Sequence, residues 1–232
     1  MKKRFLFIVL ICLFTVQYAS AQSNTSFGVR IIPTFDWTNL TDTGSLYSYE
    51  NTGVKTGIGF GPSLRYEVSD NFNVDVSGIF TWQKVGINQR SELLGVTLLD
   101  KTEDVKIQYL KVPLNFNGQF NIVGDIQALI NFGVGAGIKL SAYRKVSDNI
   151  LSWSTDYETV RAINFIDFYL TAGLGLVYNI DDNLHLSLTG QYNNGILDGW
   201  LNNKNDEPLS TIDDLTLKHR SIGLNIGFYI DF

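Results

Sequence analysis

From residue 26 onward, run after run of this chain carries an apolar side chain at every second position, and the clearest run is the last. In 219–232, Arg220, Ile222, Leu224, Ile226, Phe228, Ile230 and Phe232 share one parity, while His219, Ser221, Gly223, Asn225, Gly227, Tyr229 and Asp231 share the other. A period of two is the period of a strand. One face is apolar and the other polar or glycine, which suits a strand with lipid outside and a wet interior. The same alternation predicts strands at 26–36, 56–68, 72–83, 105–119, 126–143, 164–178 and 184–194. On the second of these, Ile58, Phe60, Pro62, Leu64, Tyr66 and Val68 point out and Gly57, Gly59, Gly61, Ser63, Arg65 and Glu67 point in.

The fold class that follows is all-β, an eight-stranded antiparallel up-and-down transmembrane β-barrel. Connections at 69–71, 123–125 and 179–183 are short, whereas those at 37–55, 84–104, 144–162 and 195–217 are long. That rhythm matches tight periplasmic turns and longer extracellular loops, with both termini periplasmic. A soluble up-and-down barrel would invert the faces. Aromatic residues supply two girdles: Phe27, Tyr66, Phe72, Phe116, Tyr178 and Phe232 at one level, Phe35, Trp82 and Phe168 at the other. Pro33, Pro62 and Pro113 fall inside strands, where each removes a ladder donor, so bulges are expected there.

The amino end adds a destination. Lys2, Lys3 and Arg4 precede the apolar run 5–16 and the small-residue site Ala19-Ser20-Ala21, which predicts a signal peptide cleaved after 1–21 and a barrel domain at 22–232. The apolar run is too short for a membrane-spanning helix, which needs about 20 residues. Cys12 leaves with the signal, and its loss excludes disulfides, thiolate metal sites and thiol catalysis. Losing three cations from 18 leaves 15 against 23 acids, a balance of −8. Nucleic acid is therefore excluded as a partner. The mean hydropathy of +0.03 conceals the lipid-facing surface, because the two strand faces average out.

Candidate chemistry lies inside and above the barrel. Arg30, Arg65, Glu67, Asp75, Lys111, Lys139, Asp167 and Asp231 are expected to face inward as a paired charge network, because eight strands leave room for side chains and little else. Arg65 with Asp75 and Lys139 with Asp167 are the expected pairs. The inward glycines either leave a small cavity or relieve crowding. His185 and Ser187 share the inward face in a spacing similar to the His-x-Ser of lipid A deacylase barrels, but no acid follows at a matching position, and catalysis needs a third, orienting group. His219 is a single inward histidine, and two histidines on separate strands make no metal site. Asn202, Asn203, Asn205, Asp206 and Glu207 lack calcium-loop spacing and suit a solvated acidic loop. No cofactor or metal is expected. Trp153, Tyr157 and Trp200 in the long loops are candidates for recognition, with packing of the loops together as the alternative.

Two stretches carry resemblances. The terminal alternation Phe228, Ile230, Phe232 resembles the insertion signal of bacterial outer-membrane barrels, which implies the barrel assembly machinery as a partner. The segment 108–116, QYLKVPLNF, resembles the PorT-like outer-membrane β-barrel family of the Bacteroidetes, whose middle strand carries Tyr-Leu-acid-aliphatic-Pro-Leu. Tyr109, Leu110, Val112, Pro113 and Leu114 match, and Lys111 replaces the acid. The resemblance implies an outer-membrane location and a barrel of the small OmpX-like kind, with a secretion partner for some relatives. The reading that results is a non-enzymatic protein embedded in outer-membrane lipid, binding an extracellular ligand through its long loops or serving a structural role. A narrow channel or an accessory part of a secretion apparatus is the alternative, and a lipid-modifying enzyme comes third.

Overall fold

The computed structural model describes residues 25–41, 48–93, 96–159, 163–197 and 216–232. The signal segment, Trp200 and the acidic residues 202–207 lie outside them. The elements are β1 (Thr25–Thr41), β2 (Ser48–Asn51), β3 (Lys55–Ser69), β4 (Phe72–Ser77), β5 (Ile79–Leu93), β6 (Val96–Val123), β7 (Ile126–Asp148), β8 (Trp153–Ser154), β9 (Glu158–Thr159), β10 (Ile166–Asp181), β11 (Leu184–Gly195) and β12 (Thr216–Asp231). β1, β3, β4 with β5, β6, β7, β10, β11 and β12 pair antiparallel in that order, and β12 returns to β1 through Ser26 opposite Asp231. The result is a closed ring of eight staves, as the alternation predicts. Outward positions such as Phe132, Leu174 and Ile230 are exposed, while inward Ser63, Asn115, Ser221 and Tyr229 are fully buried.

One stave is split, and the prolines explain where. Gly78 separates β4 from β5. The register on either side places Gly78 opposite Pro62 and Ser77 opposite Pro113. Gly78 donates to the Pro62 carbonyl at 3.0 Å, but a proline has no N–H to return the bond. Pro33 likewise interrupts the β1–β12 ladder between Ile31 and Thr34 without shifting it. The bulges expected at the prolines are therefore absent: each proline costs a hydrogen bond but no residue. The register shifts fall elsewhere, at Gln108/Tyr109, at Ser91/Glu92 and near the short turns at Asn121/Val123, Glu67/Ser69 and Asn179/Asp181. At Gln108/Tyr109 the partner β7 carries one extra residue, Leu140. Bulges bend and twist a strand, and this one sits where β6 and β7 leave the closed cylinder.

The long connections also differ from expectation. Residues 84–104, expected as a loop, continue β5 and β6 as a hairpin, with Lys84 opposite Lys106 and Ile87 opposite Glu103. The alternation of Val85 and Ile87 against Val105 and Ile107 carries the strand period past the membrane. β7 runs to Asp148, and β8 and β9 fold back to pair with it. β2 pairs with β5 on the other side. A sheet thus stands beyond one end of the barrel, on one half of it, with Val85, Ile87, Val105, Ile107, Ala142 and Ile163 buried.

Candidate functional site: the lumen and the sheet beyond it

The lumen is closed by a hydrogen-bonded cluster across its lower half. Asp75 accepts from Arg30 Nη2 at 2.6 Å, Asn117 Nδ2 at 2.7 Å and Asn115 Nδ2 at 3.0 Å. Asn131 extends the chain to Asn117 at 2.7 Å. Arg30 also donates through Nε to the Tyr229 hydroxyl at 2.6 Å. Tyr229 is completely buried. Its ring lies against Gly28 and Gly227, where a Cβ would stand 2.5 Å and 2.7 Å from ring carbons. The inward glycines here are therefore filled by an aromatic ring, and Gly135 makes way for Tyr169 in the same manner.

The pairing of charges departs from expectation. Arg65 lies directly opposite Asp75 in register, yet Asp75 is already saturated by Arg30 and two asparagines. The Arg65 guanidinium instead stacks 3.7 Å from the Tyr229 ring centroid. Lys139 does not meet Asp167 either. It donates to the carbonyl of Ile163, while Asp167 has Lys111 and His219 as its charged neighbours. Gly137 stands in register between Lys111 and Asp167, with no side chain of its own between them. The Lys111 amine also stands 4.9 Å from the Tyr169 ring centroid. Among the matched family positions, Tyr109 and Pro113 face in with Lys111, and Leu110, Val112 and Leu114 face out.

Asp36, on the inward parity of β1 with Arg30, is a further buried acid. It is wholly inaccessible, 3.5 Å from His219 Nε2 and 3.4 Å from Gln83 Nε2. Between this cluster and the lower one lies a cavity of about 40 Å³ lined by Thr34, Gln83, Lys111, Tyr169, Gln191 and Ser221. That is room for water, not for a drug-sized ligand.

At the rim that carries the chain termini, Glu67 is half-buried, with Asp231 and Arg65 as charged neighbours. His185 does have an acid, contrary to expectation. Its Nε2 lies 2.6 Å from Asp231 Oδ2 and its Nδ1 2.8 Å from Asn179 Oδ1. The register explains the omission: His185 faces Tyr229, and Asp231 is its diagonal neighbour at the strand end. Both ring nitrogens are thereby engaged, so none is left for Ser187, whose hydroxyl donates to the Gly227 carbonyl at 3.4 Å. A nucleophile without a base is inert. Among the described residues, no group of three or more metal-ligating side chains converges.

Above the membrane, Asp148 Oδ1 caps the turn after β7 by accepting from the Ile150 and Leu151 amides at 3.0 and 2.9 Å. Asn149 ties the same turn to β6 through Asp100 and Thr102, at 2.9 and 3.2 Å. The fastened tip presents Ile150, Leu151 and Trp153 to solvent, Leu151 at 71 % exposure. Tyr157 is exposed as well, with the Lys106 amine 3.7 Å from its ring centroid.

Residues 6–228 match the outer membrane protein beta-barrel domain family. The chain belongs to that family. This family barrel resides in the outer membrane, and its lipid-facing surface is the apolar parity set described above. Its shape is similar to Neisserial surface protein A, with 12 % identity, 89 % of this chain and 97 % of that chain covered and a TM-score of 0.43. It is similar to Ail of Yersinia pestis with 16 % identity, 90 % and 99 % coverage and a TM-score of 0.37. OprG of Pseudomonas aeruginosa gives 13 % identity, 91 % and 97 % coverage and a TM-score of 0.41. No curated protein matches the chain.

Proposed function

We propose that this outer-membrane barrel is a non-enzymatic surface-recognition protein, and that the tip between β7 and β8 is its contact surface. The observation that carries the reading is the apolar trio Ile150, Leu151 and Trp153, held out in water by Asp148 and Asn149. Exposed apolar side chains on a fastened turn bind partners at low entropic cost. Tyr157 is assigned to the same surface, and Trp200, outside the described residues, is a further recognition candidate. The lower lumen cluster argues against the channel alternative, since Arg30, Asp75, Tyr229 and three asparagines occupy its cross-section.

The reading includes cleavage of 1–21, periplasmic termini, and recognition of Phe228, Ile230 and Phe232 by the barrel assembly machinery. The likeness of 108–116 to the PorT-like family of the Bacteroidetes supports a secretion component as one class of partner. The test places a photo-crosslinking residue at Leu151, and separately at lipid-facing Leu174, on intact cells. Protein adducts from position 151 and none from 174 are expected. Absence of adducts at 151, or unitary conductance steps from the purified barrel in planar bilayers, sinks the recognition reading.

A further inference from the structure

The outward face carries cations at one level, and nothing in the described chain neutralises them. On β6, Leu110 and Phe120 lie ten residues apart, about 33 Å along the strand. At the usual tilt near 40° that is about 25 Å along the membrane normal, the height of an apolar band. Trp82, opposite Gln108, adds the aromatic rim, and the next outward row holds Lys84 directly opposite Lys106. On β12 the same count runs from Phe232 to Ile222, and the next outward residue is Arg220. Both sites therefore stand just past the apolar band on its extracellular side, on opposite sides of the ring.

Like charges directly across a ladder repel. Lys84 and Lys106 are exposed and, among the described residues, neither has a carboxylate within ion-pair distance. Asp104, on the same face, sits one row farther from the membrane and is held by Lys55 Nζ at 3.0 Å. Tyr143 stands opposite Lys106 in the same row, and the Tyr157 ring supports the Lys106 amine. Arg220 donates to Asn194 Oδ1 at 3.0 Å, and Asn39, with its amide oxygen turned toward the guanidinium, accepts from Arg220 Nη1 at 2.8 Å. Trp37 lies opposite Arg220, and its ring is 6.3 Å from that of Tyr192. Each site is a cation framed by interface aromatics and lacking its anion.

We propose that Lys84 with Lys106, and Arg220 across the barrel, bind the phosphate groups of phosphorylated outer-leaflet lipid. A phosphate between two opposed ammonium groups turns their repulsion into attraction. This inference concerns the lipid-facing wall next to the recognition tip, and the two meet at Tyr157.

The test follows thermal unfolding of the mature barrel, by gel mobility, in three vesicle preparations: phosphatidylcholine alone, phosphatidylcholine with bis-phosphorylated lipid A, and phosphatidylcholine with dephosphorylated lipid A. The wild type should gain unfolding temperature only with the phosphorylated lipid, and salt should erase the gain. K84Q/K106Q should lose most of that gain yet match or exceed the wild type in phosphatidylcholine alone, where the lysine pair only repels. R220Q should lose a smaller part. The proposal is overturned if K84Q/K106Q keeps the full gain, or is equally destabilised in all three preparations. An equal gain from inorganic phosphate added to phosphatidylcholine vesicles would overturn the lipid as the source of the anion.

Discussion

Within the membrane and above it, the same staves bury opposite kinds of side chain. Along the barrel, the inward residues of β6 and β7 are Asn115, Asn117 and Asn131, joined to Asp75 and Arg30. Past the upper rim, the buried residues of β5, β6 and β7 include the apolar Val85, Ile87, Val105, Ile107 and Ala142, beside the Arg144–Glu103 pair. The switch comes where the outer medium changes. A strand in lipid already gains its apolar contact outside, so its inner face is free to be polar and is held by hydrogen bonds. A strand in water must gain its apolar contact inside. The two regions therefore answer differently to the same kind of substitution.

The largest effect should come from the lumen. Asp75→Ala removes the acceptor for Arg30 Nη2 and for two asparagine amides in one step and leaves a buried guanidinium without its carboxylate. Losing one partner of a buried pair costs about 3–5 kcal/mol. Urea unfolding in detergent or vesicles measures it, and a loss below about 1 kcal/mol would mean that the cluster is not what holds the lumen. Ile107→Ala is the counterpart above the membrane, with an expected cost of about 2–5 kcal/mol for a buried isoleucine. Its effect should be confined: proteolysis of the 84–104 hairpin should accelerate while the membrane-embedded part keeps its heat-modifiable gel mobility. Loss of both together would show that the two cores are one cooperative unit.

Arg65→Gln comes next. It removes the guanidinium from the Tyr229 face but leaves Arg30 and Asp75 paired, so the expected loss is about 1–2 kcal/mol, the range of a desolvated cation–π contact. A loss as large as that of Asp75→Ala would restore Arg65 to the ion-pair role that its register suggests.

How much of this was legible in the sequence differs between the same two regions. The eight staves and their inward and outward faces were legible because lipid enforces strict alternation. The hairpin at 84–104 was read as a loop because Lys84, Gln89, Arg90 and Ser91 make its composition polar, although the inward parity at Val85, Ile87, Val105 and Ile107 carried the signal. Within the lumen, parity places a side chain inside but does not choose its partner. Arg65 faces Asp75 in register and still stacks on Tyr229, because Arg30 reaches the carboxylate from β1 across the lumen. His185 meets Asp231 by a diagonal path, which depends on register and side-chain reach together.

The smallest effect should come from the split stave. Pro62 and Gly78 face each other as a hydrogen-bonded pair, but only Gly78 donates, at 3.0 Å. Pro62→Ala supplies the missing N–H toward the Gly78 carbonyl. A backbone bond contributes about 0.5–1.5 kcal/mol net, and the loss of proline's restraint on the unfolded chain offsets about 0.4–1 kcal/mol of that. With no water in the bilayer to satisfy the Gly78 carbonyl, the bond should win. The expected outcome is a small stabilisation, below about 1 kcal/mol, with slower amide exchange at Ser77, Gly78 and Ile79. Unchanged exchange there would mean that the gap between β4 and β5 is set by Pro113 on the other flank, and Pro113→Ala should then close it.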